Sequence, residues 1–409
     1  MEQLQARANS PPLRILMLLT DAYGPLGAWH AGGGYGGIAK FNQDFLKGLD
    51  AHRLVERVHA IPRIGSPLAD ERLPESIVYD RTAVNSKFKF LGSIWNHTWR
   101  TDRVNLVVCG HLHLLSAAWL FARTHRVRLA LIVHGIEAWK PTRHRIANHM
   151  VPKVDSIISV SRLSADRVAS WSGLEKDRVF VLPNCVDLAR FIPGQPDPSL
   201  AKRYGLQSSS VIMTVGRFES EGLSKGFDEV IMAMPRLLAR VPRLKYVIVG
   251  EGPGRARLET LAKAAGVFEH VVFTGRVPES KKVAHYQLAD AYVMPSMGEG
   301  FGITLIEAAA CGLPVIGSSL DGSQEALLGG RLGRLVDPRD SQALFQAIIE
   351  VLASPVRERN PLIAEFSEQR FQERLGHWLE EQSHAIASRG RRAHGSLSFR
   401  HLASGRKGL

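Results

Sequence analysis

Cysteine is scarce in this chain of 409 residues, which contains only Cys109, Cys185 and Cys311. Three widely separated cysteines in apolar or loop contexts exclude a disulfide framework and a cysteine-based zinc site, so we expect reduced, mostly buried thiols. The pair His111 and His113 has no third and fourth ligand at a convincing spacing. The sequence therefore predicts no metal site.

Long hydrophobic runs are also missing. No stretch of about 18 or more apolar residues occurs, which argues against a transmembrane helix. The N-terminus carries Arg7 and Arg14 but only a short apolar run at 15–19, a pattern unlike that of a signal peptide. Because 45% of the residues are hydrophobic, the chain can bury two cores, and we expect a cytoplasmic protein of two domains.

Acidic residues are in deficit, and the formal net charge of +13 is unevenly distributed. Residues 1–150 contain 19 Lys and Arg against 11 Asp and Glu, and residues 383–409 contain six basic residues and no acidic one. A basic first half favours an anionic partner such as a membrane surface, a lipid diphosphate or nucleic acid, although a solvated basic surface without a partner is an alternative. Nucleic acid is disfavoured, because no recognition motif occurs and the basic residues are not interleaved with aromatics.

Apolar strands alternate with helical segments along two successive stretches, separated by the Pro-, Ser- and Gly-rich residues 193–210. This alternation predicts an α/β fold with two doubly wound parallel sheets, whose binding sites fall at the carboxyl ends of the strands. The predicted strands are 14–20, 57–62, 104–110, 128–135, 156–161 and 179–184, then 211–217, 245–250, 270–275, 291–296 and 314–318. We place the domains at 1–192 and 211–365, with a hinge at 193–210 and a basic, disordered tail at 388–409.

The most informative stretch is 298–312, where a glycine-rich turn leads from a buried strand into an apolar helix. The exposed amides of residues 300–303 at the helix start, with the hydroxyl of Thr304, are suited to an anion such as phosphate. Glu307 is placed to accept hydrogen bonds from a ribose diol, and Glu299 from hydroxyls of another sugar. Taken alone, both glutamates could equally be ordinary acidic residues that stabilise the helix dipole.

Other candidate residues lie at strand ends or helix starts. Gly36 and Gly37 end a glycine run before a helix, where a loop could bring amides against a phosphate, but a purely structural turn is nearly as well supported. His134 stands at a strand end, although most histidines have structural or surface roles. Arg217 and Lys225 could converge on phosphates bound at the 300–304 helix start, but isolated basic residues are more often surface charges.

Several of these residues recur in one ordered pattern that resembles a known family, the group-one, retaining, nucleotide-sugar glycosyltransferases of GT-B fold (glycosyltransferase family four). The resemblance implies two Rossmann-like domains facing across a cleft, with a last helix at about 366–387 returning to the first domain. Its motifs are Gly216-Arg217, Lys225-Gly226, Gly250-Glu251-Gly252-Pro253, Glu299 with Glu307, and Cys311-Gly312-Leu313-Pro314-Val315, and more loosely Gly36-Gly37, His134-Gly135, Val160-Ser161 and Pro183-Asn184.

The resemblance also implies roles for individual residues. Arg217 and Lys225 would hold the donor diphosphate, Glu307 the ribose and Glu299 hydroxyls of the transferred sugar, with His134 beside that sugar. We accordingly take His134, Glu299, Arg217 and Lys225 as the catalytic candidates. The donor-binding candidates are Gly36, Gly37, Gly216, Arg276, Val277, Gly300, Phe301, Gly302, Ile303, Thr304 and Glu307, of which Arg276 and Val277 would border the base.

The implied activity is transfer of a hexose, with mannose or glucose favoured, from a nucleotide diphosphate sugar to a lipid-linked or glycan acceptor. Retention of configuration and a role in polysaccharide or glycolipid synthesis are implied as well, with peripheral attachment to the inner face of the cytoplasmic membrane as a hypothesis. We expect no cofactor or metal, since no D-x-D pair lies near the site. A catalytically inactive nucleotide-sugar-binding protein of the same fold and a soluble glucan synthase are the alternatives.

Overall fold

Two parallel β-sheets form the frame of the protein in the computed structural model, which describes residues 11–22, 36–64, 73–97, 103–219, 225–353 and 357–403. The first sheet has seven strands in the order β3-β2-β1-β4-β5-β6-β7, and the second has six in the order β10-β9-β8-β11-β12-β13. The strands are β1 Leu13–Leu19, β2 Val55–Pro62, β3 Ile77–Tyr79, β4 Leu106–Cys109, β5 Arg128–Val133, β6 Ser156–Ser159, β7 Val179–Val181, β8 Ser210–Val215, β9 Leu244–Val249, β10 Val271–Gly275, β11 Ala291–Met294, β12 Val315–Ser318 and β13 Arg334–Val336.

Helices cover both faces of each sheet, as the apolar strands require. The helices described are α1 Gly37–Asp50, α2 Lys87–Asn96, α3 Leu115–His125, α4 Arg145–Met150, α5 Arg162–Ser172, α6 Pro198–Arg203, α7 Phe227–Leu238, α8 Arg255–Ala264, α9 Lys282–Tyr286, α10 Ile303–Ala310, α11 Ser323–Ala326, α12 Ser341–Ala353 and α13 Glu368–Ala403. On the first sheet, α2 to α5 pack on one face and α1 and α13 on the other. None of the described helices has both the length and the apolar character needed to cross a bilayer.

The predicted alternation of strands and helices is confirmed, and the structure adds two strands that the sequence did not predict. These are β3 and β13, of three residues each, at the margin of their sheets. A three-residue strand has too few residues to show a period, so it cannot be told from a loop by its pattern. The predicted hinge also contains regular structure, because α6 lies within it and β8 begins at Ser210.

The last helix, α13, returns from the second sheet to pack on the first. Its Trp378 is fully buried, and the indole N–H donates to Ser156 Oγ at 3.1 Å. Gln382 accepts from Arg128 Nε at 3.0 Å, and Arg389 pairs with Asp155. The helix continues to Ala403, so the structure describes the residues from 388 to 403, where a disordered tail was predicted, as helical.

Candidate active site

The carboxyl edges of the two sheets face each other, and they touch at two glycines. Gly135 follows β5 and Gly300 precedes α10. A Cβ built on Gly300 would overlap the carbonyl oxygen of His134 and lie 2.8 Å from the Gly135 Cα. The hydroxyl of Ser164, from the first domain, lies 3.5 Å from the Gly300 carbonyl oxygen. The two backbones can approach so closely only because neither residue has a side chain.

A carboxylate from the second domain joins the same contact. Glu325, on α11, accepts from the amides of Arg162 at 2.8 Å and Leu163 at 2.9 Å. These amides belong to the first turn of α5, whose N-cap Ser161 accepts from Ser164 N. A carboxylate at a helix N-terminus satisfies otherwise unpaired donors and favours the helix dipole. The closed arrangement of the domains is therefore held by charge-assisted hydrogen bonds.

Helix starts from both domains meet in this cleft. The N-cap of α10 is Gly302, whose φ of 100° lies in the left-handed region that glycine tolerates. A Cβ on Gly37, at the start of α1, would lie 3.5 Å from Ile303 Cδ1. The predicted donor residues at 36–37 and at 300–304 are thus neighbours, although residues 32–35 of the glycine run lie outside the described residues.

Lys225 and Glu299 form an ion pair beside the start of α10. The backbone amide of Glu299 donates to Asp321 Oδ2 at 2.9 Å, which fixes the turn that carries it. A Cβ on Gly216 would lie 3.3 Å from the Lys225 Cγ, so this glycine makes room for the lysine side chain. Burial lowers the pKa of Lys225 to about 8, opposed by the negative charges of Asp321 and Glu219.

Arg217 follows β8, as predicted, but its side chain is exposed and does not join that pair. Its Nε lies 3.4 Å from Glu219 Oε1. The adjoining loop at 220–224 lies outside the described residues. The convergence of Arg217 and Lys225 on one anion stays a prediction, with Lys225 in the cleft and Arg217 at its margin.

Glu307 is buried within α10, with 2% of its surface exposed. Its Oε1 accepts from Lys282 Nζ at 2.9 Å, and its Oε2 accepts from the hydroxyl of Tyr286 at 2.7 Å. Burial alone would lower the pKa of Lys282, but the carboxylates of Glu307 and Glu279 outweigh it and raise that pKa. A carboxylate has about four acceptor sites, so Glu307 retains capacity for further hydrogen bonds.

His134 lies at the end of β5 with its ring held in one orientation. Its Nε2 donates to the Gly110 carbonyl oxygen at 2.9 Å, and Phe41 contacts it edge to face at 5.2 Å. Because a carbonyl oxygen only accepts, Nε2 carries the proton in the neutral ring. Burial lowers the pKa of His134 to about 4, so the ring is neutral near pH 7. Glu137 accepts from the amides of His134 at 2.6 Å and Gly135 at 3.1 Å, fixing this turn.

The remaining candidates surround α10 and the end of β10. Phe301 is 2% exposed and packs against Phe366, so its backbone rather than its ring is available to a ligand. Thr304 Oγ1 lies 3.5 Å from Met294 Sδ. Arg276 and Val277 follow β10 and are half-buried. Within the described residues, no group of three or more His, Cys, Asp or Glu side chains could hold a metal ion.

Sequence reasoning missed three residues that organise the site. Asp321 is 1% exposed and accepts from Ser296 Oγ at 2.7 Å as well as from Glu299 N, and burial raises its pKa. The Leu-Asp-Gly-Ser run after β12 is a turn signal that could have identified it. Lys282 and Glu325 carry no local signal, because their partners are distant in sequence.

Two parallel sheets whose carboxyl edges face each other across a cleft define the GT-B class of protein. The crystal structure of Anabaena HepE in complex with UDP has this fold: it matches with a TM-score of 0.70 at 17% identity, over 90% of this chain and 100% of that chain. The model of the glycosyl transferases group 1 family matches residues 200–369, and that of glycosyltransferase family 4 matches residues 35–190. The chain belongs to this group-one family of glycosyltransferases.

The curated relatives are similar over part of their length. A GDP-mannose-dependent alpha-(1-6)-phosphatidylinositol monomannoside mannosyltransferase of Mycolicibacterium smegmatis is 36% identical over 242 residues, which cover 56% of this chain and 62% of that protein. A glycogen synthase of Mycobacterium tuberculosis is 30% identical over 280 residues, covering 66% of this chain and 64% of that protein. The chain thus matches less than two thirds of each relative.

Proposed function

We propose that this protein transfers a hexose, with mannose ahead of glucose, from a nucleotide diphosphate sugar to a hydroxyl of a lipid-linked or glycan acceptor, with retention of configuration. The observation that carries the proposal is the Lys225–Glu299 pair beside the start of α10, opposite His134 at the contact between the domains. The mannosyltransferase relative, whose name gives GDP-mannose as donor and a phosphatidylinositol monomannoside as acceptor, supports mannose and a lipid-linked acceptor.

The proposed chemistry is electrostatic. The donor diphosphate lies at the N-terminus of α10, where amides and the helix dipole favour negative charge, and Lys225 and Arg217 add positive charge. As the bond between sugar and phosphate breaks, negative charge grows on the leaving diphosphate. Groups already oriented toward that charge stabilise the transition state more than the ground state. No metal ion is needed for this step in the proposal.

Glu299 and His134 act on the sugar in this proposal. The donor diphosphate replaces Glu299 as the partner of Lys225. The Glu299 carboxylate can then accept hydrogen bonds from hydroxyls of the sugar. The neutral His134 ring borders the sugar from the first domain, and the acceptor hydroxyl attacks from the face that the phosphate leaves. Closure at Gly135 and Gly300, held by Glu325, excludes water from the reactive donor.

Lys282 is a positioning residue in this scheme, because it orients the Glu307 carboxylate that is proposed to hold the ribose. We expect Lys282→Met to raise the KM for the donor by about tenfold with a smaller change in kcat, since a ribose contact made equally in ground and transition states affects binding. Steady-state kinetics with varied donor measure this. Lys282→Arg restores the cation and should recover most of the affinity; an unchanged KM in Lys282→Met would contradict the role.

A soluble glucan synthase is the second candidate function, because the glycogen synthase relative matches a larger share of this chain than the mannosyltransferase does. The two functions differ in donor and acceptor. A mannosyltransferase of lipids consumes GDP-mannose and labels an organic-soluble product, whereas a glucan synthase consumes a nucleotide glucose and extends a soluble polymer. Labelled donors followed by solvent partition therefore separate them.

The donor is identified by thermal shift and donor hydrolysis. Purified protein is screened against GDP-mannose, UDP-glucose, UDP-galactose, UDP-N-acetylglucosamine and the free nucleotides, each with and without EDTA. We expect one nucleotide sugar to raise the melting temperature, EDTA to leave that shift unchanged, and Glu307→Ala to remove it. Loss of the shift in EDTA would contradict a metal-independent clamp, and binding without transfer to any acceptor would favour an inactive binding protein.

A further inference from the structure

Helix α2 presents large apolar side chains to solvent, opposite the face that it packs on the first domain. Phe88 is 89% exposed, Leu91 52% and Trp95 62%. Their spacing of three and four residues places them in one stripe along the helix. Phe90 and Ile94 point the other way and are buried in the core. The helix is therefore apolar on two opposite faces, one of which packs in the core while Phe88 and Leu91 on the other are exposed.

Lysines flank the exposed stripe. At 100° per residue, Lys87 and Lys89 lie on either side of Phe88, and both are exposed. The sequence of α2, KFKFLGSIWN, contains no acidic residue. An apolar stripe bordered by lysines is the pattern of a helix that lies in a membrane interface, where the rings enter the acyl boundary and the ammonium groups reach the lipid phosphates.

The position of α2 connects this stripe to the cleft. The helix lies between the parallel strands β3 and β4, so it runs back along the sheet and begins at the carboxyl edge. Lys87, Phe88 and Lys89, in its first turn, therefore lie at the edge that also carries His134. Ile136 and Ile146, 53% and 67% exposed, follow strand β5 of the same sheet.

We propose that α2 is the docking element of this protein for an anionic lipid bilayer, lying parallel to the surface with Phe88, Leu91 and Trp95 inserted and Lys87 and Lys89 on lipid phosphates. The membrane docking extends the proposed function, and it rests on that function for one point, namely that the acceptor is lipid-linked. This orientation then places the carboxyl edge of the first sheet, which carries His134, near the membrane. The charge of the helix selects anionic over neutral lipid, because each lysine near such a surface contributes favourably.

The test is co-sedimentation of the full-length chain with vesicles of phosphatidylcholine alone or of phosphatidylcholine and phosphatidylglycerol in equal parts. We expect binding to the mixed vesicles only. The double variant Phe88→Ser/Leu91→Ser should bind them at least about tenfold more weakly, since two inserted side chains are lost. Met232→Ser is the matched control, because Met232 is 59% exposed on α7 of the second domain, and it should bind as the wild type does.

The double variant Lys87→Gln/Lys89→Gln separates the electrostatic contribution from the apolar one. It should reduce both the affinity for the mixed vesicles and the dependence of that affinity on salt. Equal binding of the wild type and Phe88→Ser/Leu91→Ser, or binding of the wild type to neither vesicle, would overturn the proposal. Donor hydrolysis by the same variants in the absence of lipid is the independent readout and should be unchanged. If the wild type hydrolyses no donor yet binds vesicles through α2, the proposed transferase fails while the docking element stands.

Discussion

Gly300→Ala is expected to lower kcat/KM by at least about a hundredfold while both domains stay folded, because displacing reacting groups by about 1 Å can cost that much. The added methyl group would overlap the His134 carbonyl oxygen and press on the Gly135 Cα. The three heavy atoms nearest to it, in His134 and Gly135, all belong to the first domain. The variant should therefore prevent closure without disturbing the second domain, in which Gly300 itself lies.

Three measurements check this expectation. Transfer and donor hydrolysis should both fall, and the melting temperature should change little. The affinity for the free nucleotide should be kept, because the proposed nucleotide site lies in the second domain. Gly92→Ala is the control, since a Cβ there meets nothing within 4 Å. Wild-type turnover in Gly300→Ala would show that the contact of Gly135 with Gly300 plays no part in catalysis.

Lys225→Met is expected to lower kcat/KM by about a hundredfold to a thousandfold, the range found when one donor to a developing oxyanion is removed. Lys225 has two proposed partners, Glu299 in the free protein and the diphosphate in the complex. If Lys225 binds the diphosphate, Lys225→Met should lower the affinity for the free nucleotide, whereas Glu299→Gln should not. If Lys225 serves only to hold Glu299, both variants should keep the wild-type affinity for the nucleotide. The double variant Lys225→Met/Glu299→Gln should then have the same kcat/KM as Glu299→Gln alone.

The pKa of Lys225 adds a second readout for the same residue. Because burial lowers this pKa to about 8, the free protein loses the ammonium charge as the pH rises through that value. We expect kcat/KM, which reports the free protein, to fall above about pH 8. In Lys225→Arg the guanidinium stays charged, so this decline should disappear even if the maximum rate is lower. If kcat/KM of Lys225→Arg still declined at high pH, the decline would belong to the titration of another group.

The sequence predicted those parts of the site that depend on local pattern. Residues 291–312 read correctly as a strand, a glycine turn and a helix start, since each has its own signature. The environment of Glu307 could not be read in this way, because Lys282 reaches it across 25 positions and forms no part of a motif. Glu325 is 163 positions from Arg162, and only the approach of the two domains brings it to the start of α5.

The same contrast applies to the end of the chain. The helix after residue 366 was expected from the family resemblance, but its length was not, because the basic and glycine-containing residues after 388 are typical of disorder. The pairing of Arg389 with Asp155 links this segment to the first domain, and the two residues are 234 positions apart. The composition of a segment indicates whether it can fold alone, but it does not include the contacts that a distant residue such as Asp155 adds.

The return of α13 means that the chain cannot be divided into two halves at the hinge. A fragment that stops at residue 192 would lack Trp378, whose indole fills the first domain beside Ser156 and Phe45. It would expose the core face that α13 covers, and it would be expected to aggregate. The first domain is thus completed only by residues that follow the second domain in the chain, so its final packing must follow synthesis of the second.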